Sequence, residues 1–175
     1  MPTPPPRVLR LANLIETGLP ADNWDTPLET NKLLLMMNET HLQKATAAKA
    51  QGGTVIGTIY KRTRREQGQK FQRAEVRFDD LAGCLRTPGG GSSRQQLLVV
   101  SRDAIRSRLI SPRETARLMG LSDRYTLPKK ASEAYHLTGD GVAVPVVHYL
   151  AKWLLEPMLS GITLSNQRAS FSDNM

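Results

Sequence analysis

The chain has a single cysteine in 175 residues, Cys84, so no intrachain disulfide can brace it and no redox compartment is indicated. No apolar run approaches the roughly 18 residues that a membrane-crossing helix needs. The opening residues, Met-Pro-Thr-Pro-Pro-Pro, offer neither the charged n-region nor the apolar h-region of a secretory signal. A cytoplasmic location is therefore the default expectation. There is no internal repeat. His41, His136 and His148 have no metal-ligand spacing with one another, so they read as surface or core histidines and no metal site is expected.

What is present suits a soluble globular protein, with 39% hydrophobic residues and a mean hydropathy of −0.37. The length is enough for one ordinary domain, or for a small domain with an extension. The formal net charge is +8 and the pI about 10.0. Such an excess favours a polyanionic partner, although an acidic lipid surface would also suit it. The surplus is concentrated. Between residues 61 and 77 there are seven Lys or Arg against two Glu, Glu66 and Glu75.

Along the chain, residues 1–6 read as an extended proline-rich linker and 7–16 as a short amphipathic stretch carrying Leu9, Leu11, Leu14 and Ile15. A dense run of turn formers follows. One long helix is expected over 28–49, with Leu28, Leu33, Met36, Met37 and Leu42 at helical spacing, ended by Gln51-Gly52-Gly53. From Thr54 the β-branched and aromatic residues predict a strand to Tyr60. The polar run 62–69 then reads as a hairpin loop, and 71–78 as the returning strand. Residues 81–87 and 96–100 read as two more short strands, separated by a Pro-Gly-Gly-Gly-Ser-Ser loop.

The later helices have firmer signals. Ser111-Pro112-Arg113-Glu114 is a capping box with proline at the first helical position, and Gly120 stops that helix. A last helix over 144–155 carries Val142, Val146, Tyr149, Leu150, Trp153 and Leu154 at i, i+4, i+7, i+8, i+11 and i+12, a stripe built for burial that Pro157 closes. Residues 166–175 are polar and read as frayed.

Arg108, Ser111, Arg113, Glu114, Ala116, Arg117, Leu118 and Gly120, followed by Asp123, resemble the ninth motif of the DNA (cytosine-5) methyltransferases. Gly139, Asp140, Gly141 and Val142 stand where the tenth motif has Gly-Asn, a small residue and Val, with Asp140 in place of the usual Asn. Residues 82–95 resemble the end of that family's target-recognition region. Together the likeness covers about residues 54–159.

The resemblance implies a recognition domain that grips the major groove, and a large Rossmann-like domain that binds S-adenosylmethionine and flips the target cytosine out of the stack. Family members place their thiolate nucleophile in a Pro-Cys motif and their acid in a Glu-Asn-Val motif. Neither string occurs here, nor does a Phe-x-Gly-x-Gly cofactor loop. Cys84, without a preceding proline and in an expected strand, reads as a buried structural thiol. No catalytic residue is expected in these 175 residues, and the chain alone should be inactive.

The expectation is an α+β fold. A lead-in occupies 1–53, a small strand-rich recognition domain 54–138, a turn and docking helix 139–160, and a flexible tail 161–175. Lys61, Arg62, Arg64, Arg65 and Arg94 are the candidate DNA contacts, against the plainer reading of a solvated hairpin. The Gly89-Gly90-Gly91-Ser92-Ser93-Arg94 run is either a phosphate cradle or a flexible loop. Asp140 and Gly141 are candidates for a cofactor wall, although Asp140 could instead cap the last helix. Arg113, Glu114 and Arg117 read as scaffold.

Val146, Tyr149, Leu150, Trp153 and Leu154 would face a catalytic chain that supplies the Pro-Cys and Glu motifs and, with them, S-adenosylmethionine. Without that partner, part of the stripe would be left in water. The expected role is thus the recognition subunit or fragment of a bacterial restriction-modification methyltransferase acting on double-stranded DNA. The alternatives are a non-catalytic DNA-binding or interaction protein, or a truncated inactive product.

Overall fold

The computed structural model describes residues 1–16, 18–66, 68–87 and 94–160, with the side chain of Glu66 outside that set. The glycine–serine run before Arg94 and the carboxy-terminal tail lie outside the described residues. Four antiparallel strands form one sheet: β1 (Val55–Glu66), β2 (Gln69–Arg77), β3 (Gln96–Val100) and β4 (Ile105–Leu109), in spatial order β2-β1-β3-β4. Among the described residues it is accompanied by the α-helices α1 (Leu11–Leu14), α2 (Pro27–Leu35), α3 (Glu39–Ala50), α4 (Pro112–Leu118), α5 (Ala131–Asp140) and α6 (Val144–Leu150). The mixed, α+β character expected from the sequence is present. No helix among the described residues is long and apolar enough to cross a membrane.

The sheet departs from the sequence reading in three places. Residues 62–66, taken for a loop, continue β1, and the ladder runs Arg62↔Arg73, Arg64↔Phe71 and on to Glu66↔Gln69. Polarity there reports that both faces meet water, not that the strand has ended. Secondly, residues 81–87 form no strand. Side chains satisfy that segment's backbone instead: Thr58 Oγ1 donates to Leu81 O at 3.0 Å, and Gly83 N–H donates to Gln95 Oε1 at 3.2 Å. Cys84 in this segment is exposed, which overturns its assignment as a buried thiol. Thirdly, β4 escaped notice because its polar residues hide a strand whose centre, Ser107 and Arg108, is buried.

The expected long helix is two helices. Thr26 caps α2 in a capping box with Glu29, and Asn38 caps α3 by accepting His41 N–H at 3.1 Å. The break between them serves the open edge of β2. Met36 O accepts Ala74 N–H at 3.1 Å and His41 Nδ1 accepts Val76 N–H at 3.1 Å, so two backbone donors of an edge strand are covered. On the opposite edge, Ser107 O accepts Asp25 N–H at 2.9 Å.

Strand alternation divides the core into two layers. Ile59, Ala74, Val76, Leu98 and Val100 meet Leu33, Met37, Ala45 and Ala48 of the α2–α3 corner. On the other face Leu97 joins Leu11, Ile15 and Ile110, with Ile56, Ala82 and Leu118 packed against them. Of the apolar residues placed on the long helix, Leu28 and Leu42 are exposed.

The capping box at Ser111 and the stop at Gly120 form as read. Ser111 Oγ accepts Glu114 N–H at 3.2 Å, and Ser111 N–H reaches Glu114 Oε2 at 2.7 Å. Gly120 has φ +79°, and a Cβ there would lie 2.5 Å from the Pro145 ring.

Pro157 does not end the last helix. After α6 comes a π turn at Ala151–Leu155, and helix continues through 156–160. In a regular helix the proline ring presses on the carbonyl four residues back, here Trp153. A widened turn just upstream, in which Glu156 N–H bonds to Ala151 O, relieves that clash.

Candidate nucleic-acid interface and docking helix

The β1–β2 hairpin outruns the sheet. The third strand's register stops at Ile59↔Gln96, so the hairpin from Tyr60 onward projects about 20 Å with no third strand beside it among the described residues. Alternation puts Tyr60, Arg62 and Arg64 of β1 on one face with Phe71, Arg73 and Glu75 of β2, and Lys61, Thr63 and Arg65 on the other with Lys70 and Gln72. The four hairpin candidates from the sequence are therefore separated into two pairs.

The first face is interlocked. Arg64 Nε donates to Glu75 Oε1 at 3.0 Å and its Nη2 pairs with the same oxygen, while Arg62 Nε lies 3.6 Å from Glu75 Oε2. Arg62 also covers the Tyr60 ring at 5.6 Å, and Arg73 the Phe71 ring at 5.6 Å. A cleft of about 320 Å³ beside the start of α3 is lined by Asn38, His41, Arg64, Arg65, Arg73 and Glu75 among others. The fifth candidate, Arg94, sits apart from this lattice with its guanidinium 5.1 Å over the Tyr135 ring of α5.

Sequence reading missed Glu75 as the organiser of this face. The signal was available only once 62–66 were treated as strand, because only strand pairing brings Glu75 back beside Arg62 and Arg64.

A second charged centre, fully buried, lies where β4 meets α4. Arg108 (1% exposed) on β4 and Glu114 (0%) on α4 form a bidentate pair at 2.5 and 2.7 Å. Glu114 also accepts the backbone N–H of Glu16 at 2.6 Å and of Ser111 at 2.7 Å. Burial by itself pushes the Glu114 carboxyl up, but the Arg108 guanidinium and the two backbone donors outweigh it and hold the carboxyl below its ordinary value of 4.5. Arg108 donates further to Glu16 O and Leu109 O, and its guanidinium lies 5.2 Å from the Trp24 ring, which Arg106 covers at 3.9 Å.

Arg117 pairs with Asp123 at 2.7 Å and with Glu16 at 3.7 Å, and Arg113 donates to the carbonyls of Ser122 and Tyr125. Arg108, Glu114 and Arg117 thus tie the amino-terminal segment, β4 and α4 together, and Arg113 and Arg117 tie α4 to the segment that follows it.

Asp140 does not precede the last helix as a cap. It is the final residue of α5, its carboxylate accepts from Thr87 Oγ1, and α6 begins from Ala143 without a side-chain cap. Neighbouring Gly139 is needed for this contact, since a Cβ there would meet Thr87 N at 2.5 Å. Gly141 is separate from that clamp and forms part of the wall of a cavity of about 580 Å³, along with Leu9, Leu14, Cys84, Leu118 and Val142.

The expectation that the last helix buries its stripe fails within this chain. Every residue of α6 except the half-buried Tyr149 is exposed. Val146, Leu150, Trp153 (43%) and Leu154 all lie open. The first turn of the helix meets the end of α4, where Val144 N–H donates to Met119 O at 2.8 Å; further along, Tyr149 donates its hydroxyl to Pro2 O, and Pro4 and Pro5 line a groove with Trp153.

The described residues thus carry a basic two-stranded hairpin and, apart from it, an apolar helix whose face is largely exposed. The chain belongs to the C-5 cytosine-specific DNA methylase family, whose model matches residues 16–156. It is 29% identical over 120 residues to type II methyltransferase M.HpaII of Haemophilus parainfluenzae, covering 59% of this chain and 33% of that protein. It is also 43% identical over 49 residues to type II methyltransferase M1.ScrFI of Lactococcus lactis subsp. cremoris, covering 28% of this chain and 13% of the relative. The chain thus spans a third or less of the length of these curated relatives. No solved structure matches it.

The family uses S-adenosylmethionine. The residues described here do not fit that group by themselves. The cavity wall at Gly141 is mostly apolar, and its carboxylate, Asp80, is engaged with Leu11 N–H at 2.7 Å and with Arg7 at 3.3 Å.

Proposed function

We propose that these residues are the target-recognition part of a bacterial DNA (cytosine-5) methyltransferase acting in the cytoplasm. The hairpin binds double-stranded DNA through Lys61, Arg62, Arg64 and Arg65, with Arg94 as a further contact, and α6 docks on a catalytic chain. That chain supplies the Pro-Cys nucleophile and the Glu acid and takes up S-adenosylmethionine. Asp140 and Gly141 contribute only the rim that meets it, with Asp140 acting through its hold on Thr87.

The observation that carries the reading is the open apolar face of the last helix. Val146, Leu150, Trp153 and Leu154 stand half in water, whereas α1, α2, α3 and α4 each contribute to a core cluster. A contiguous patch of this kind marks a surface meant to be covered. The motif strings for the chemistry are absent from the 175 residues, so the covering surface is assigned to the polypeptide that holds them.

The test is reconstitution. Labelled methyl transfer from S-adenosylmethionine to duplex DNA is measured with the catalytic chain, with this chain, and with both. Transfer well above the catalytic chain alone is expected only in the mixture, and Trp153→Glu abolishes the gain. No gain over the catalytic chain overturns the split-enzyme reading; if the chain still retains DNA, the non-catalytic DNA-binding alternative takes its place.

A further inference from the structure

The two faces of the hairpin differ in how their charges are held, and the difference bears on what each can recognise. Arg64 is fixed by Glu75 through Nε and one Nη2 hydrogen, which together form the long side of the guanidinium fork. Its side chain is nevertheless 50% exposed. The short end, Nη1 with the second Nη2 hydrogen, is the part that no described residue occupies. That end presents two parallel N–H donors at a spacing that matches the O6 and N7 acceptors of guanine in the major groove.

Three physical points favour a base edge over a phosphate. A guanidinium already held by a carboxylate has lost its rotamer freedom before binding, so a directional two-point contact loses less entropy on forming. The same carboxylate offsets the arginine's charge, which weakens attraction to an anion but barely affects hydrogen bonds to neutral acceptors. Lastly, the major groove admits a two-stranded β-ribbon, and from Tyr60 onward the hairpin is one, with no third strand among the described residues. On the opposite face, Arg65 has no ion-pair partner among the described residues, which suits it to phosphate.

We infer that Arg64, positioned by Glu75, reads a guanine of the target site, and that Arg65 on the other face holds the phosphate backbone. The inference rests on the proposed DNA-recognition role and assigns the residue that selects within it.

Duplexes bound by the full chain are selected from a randomised pool, and the variants are compared on the enriched sequence and on random duplex across a salt series. Wild type enriches guanine at one or more positions. Arg64→Ala reduces preference at one such position by roughly tenfold to a hundredfold, lowering affinity for the enriched sequence far more than for random duplex. Glu75→Gln keeps the arginine but frees it, so guanine preference falls while random-duplex affinity rises. Arg65→Ala leaves the enriched sequence unchanged and lowers the salt slope by about 0.9.

Replacing the read guanine by 7-deazaguanine weakens wild type and leaves Arg64→Ala indifferent. A purely structural role for Arg64 and Glu75 would instead lower binding to all duplexes together. If guanine preference survives Arg64→Ala, or if that variant lowers the salt slope as Arg65→Ala does, the inference falls while DNA binding stands. If the wild-type chain retains no DNA at any salt, the recognition role itself falls with it.

Discussion

Replacing Arg108 by Met tests the buried centre most directly. Glu114 is fully enclosed and receives four hydrogen bonds, two from Arg108 and one each from the N–H groups of Ser111 and Glu16. Met fills similar volume but leaves a carboxylate in the core facing only two backbone donors. Removing one partner of a buried pair costs about 3–5 kcal/mol, because the remaining charge loses its counter-ion without regaining water. For a chain of this size that corresponds to a fall in Tm of roughly 6–20 °C. Thermal and urea unfolding followed by circular dichroism read the effect.

The pH dependence supplies an independent arm. Glu114's folded pKa lies below 4.5, its unfolded reference. A depressed carboxylate contributes stability that is present above the unfolded value and lost as pH falls through the folded one. Wild type should therefore lose stability on acidification below about pH 4.5, and Glu114→Gln should flatten that part of the profile while being less stable at neutral pH. A loss under about 1 kcal/mol for Arg108→Met would refute the reasoning, since an exposed pair costs no more than that.

Two further outcomes are expected. Gly120→Ala should lower stability by about 2 kcal/mol or more, measured as a lower urea midpoint, because φ +79° is strained for alanine and the new methyl group meets Pro145. Cys84 should react with a thiol reagent in the native protein as fast as in the urea-unfolded chain, given its exposure; protection until unfolding would contradict its position in the structure.

Short-range chemistry was the legible part. The capping box at Ser111, the left-handed stop at Gly120 and the β-branched start of β1 each depend on a few adjacent residues, and each forms as the sequence indicates. The break at Asn38 was missed because its reason is tertiary: Met36 and His41 turn aside to meet the edge of β2. Residues 81–87 misled in the opposite sense, since their strand-like composition is satisfied by side chains of Thr58 and Gln95, not by a ladder. For the candidate site, the residue types were readable and their grouping was not. Arg62 and Arg64 belong together with Glu75, Lys61 and Arg65 face away, and Arg94 stacks elsewhere.

By itself the sequence determined the family, the basic balance of 61–77 and the helix ends on either side of the ninth-motif resemblance, because each is written in neighbouring residues. Only the tertiary structure decided that Arg108 and Glu114 are a buried pair, that Glu75 locks one face of the hairpin, and that α6 finds no core among the described residues to cover it. Those outcomes depend on which strands pair and which layers meet, and pairing joins residues such as Glu16 and Glu114 that are 98 positions apart.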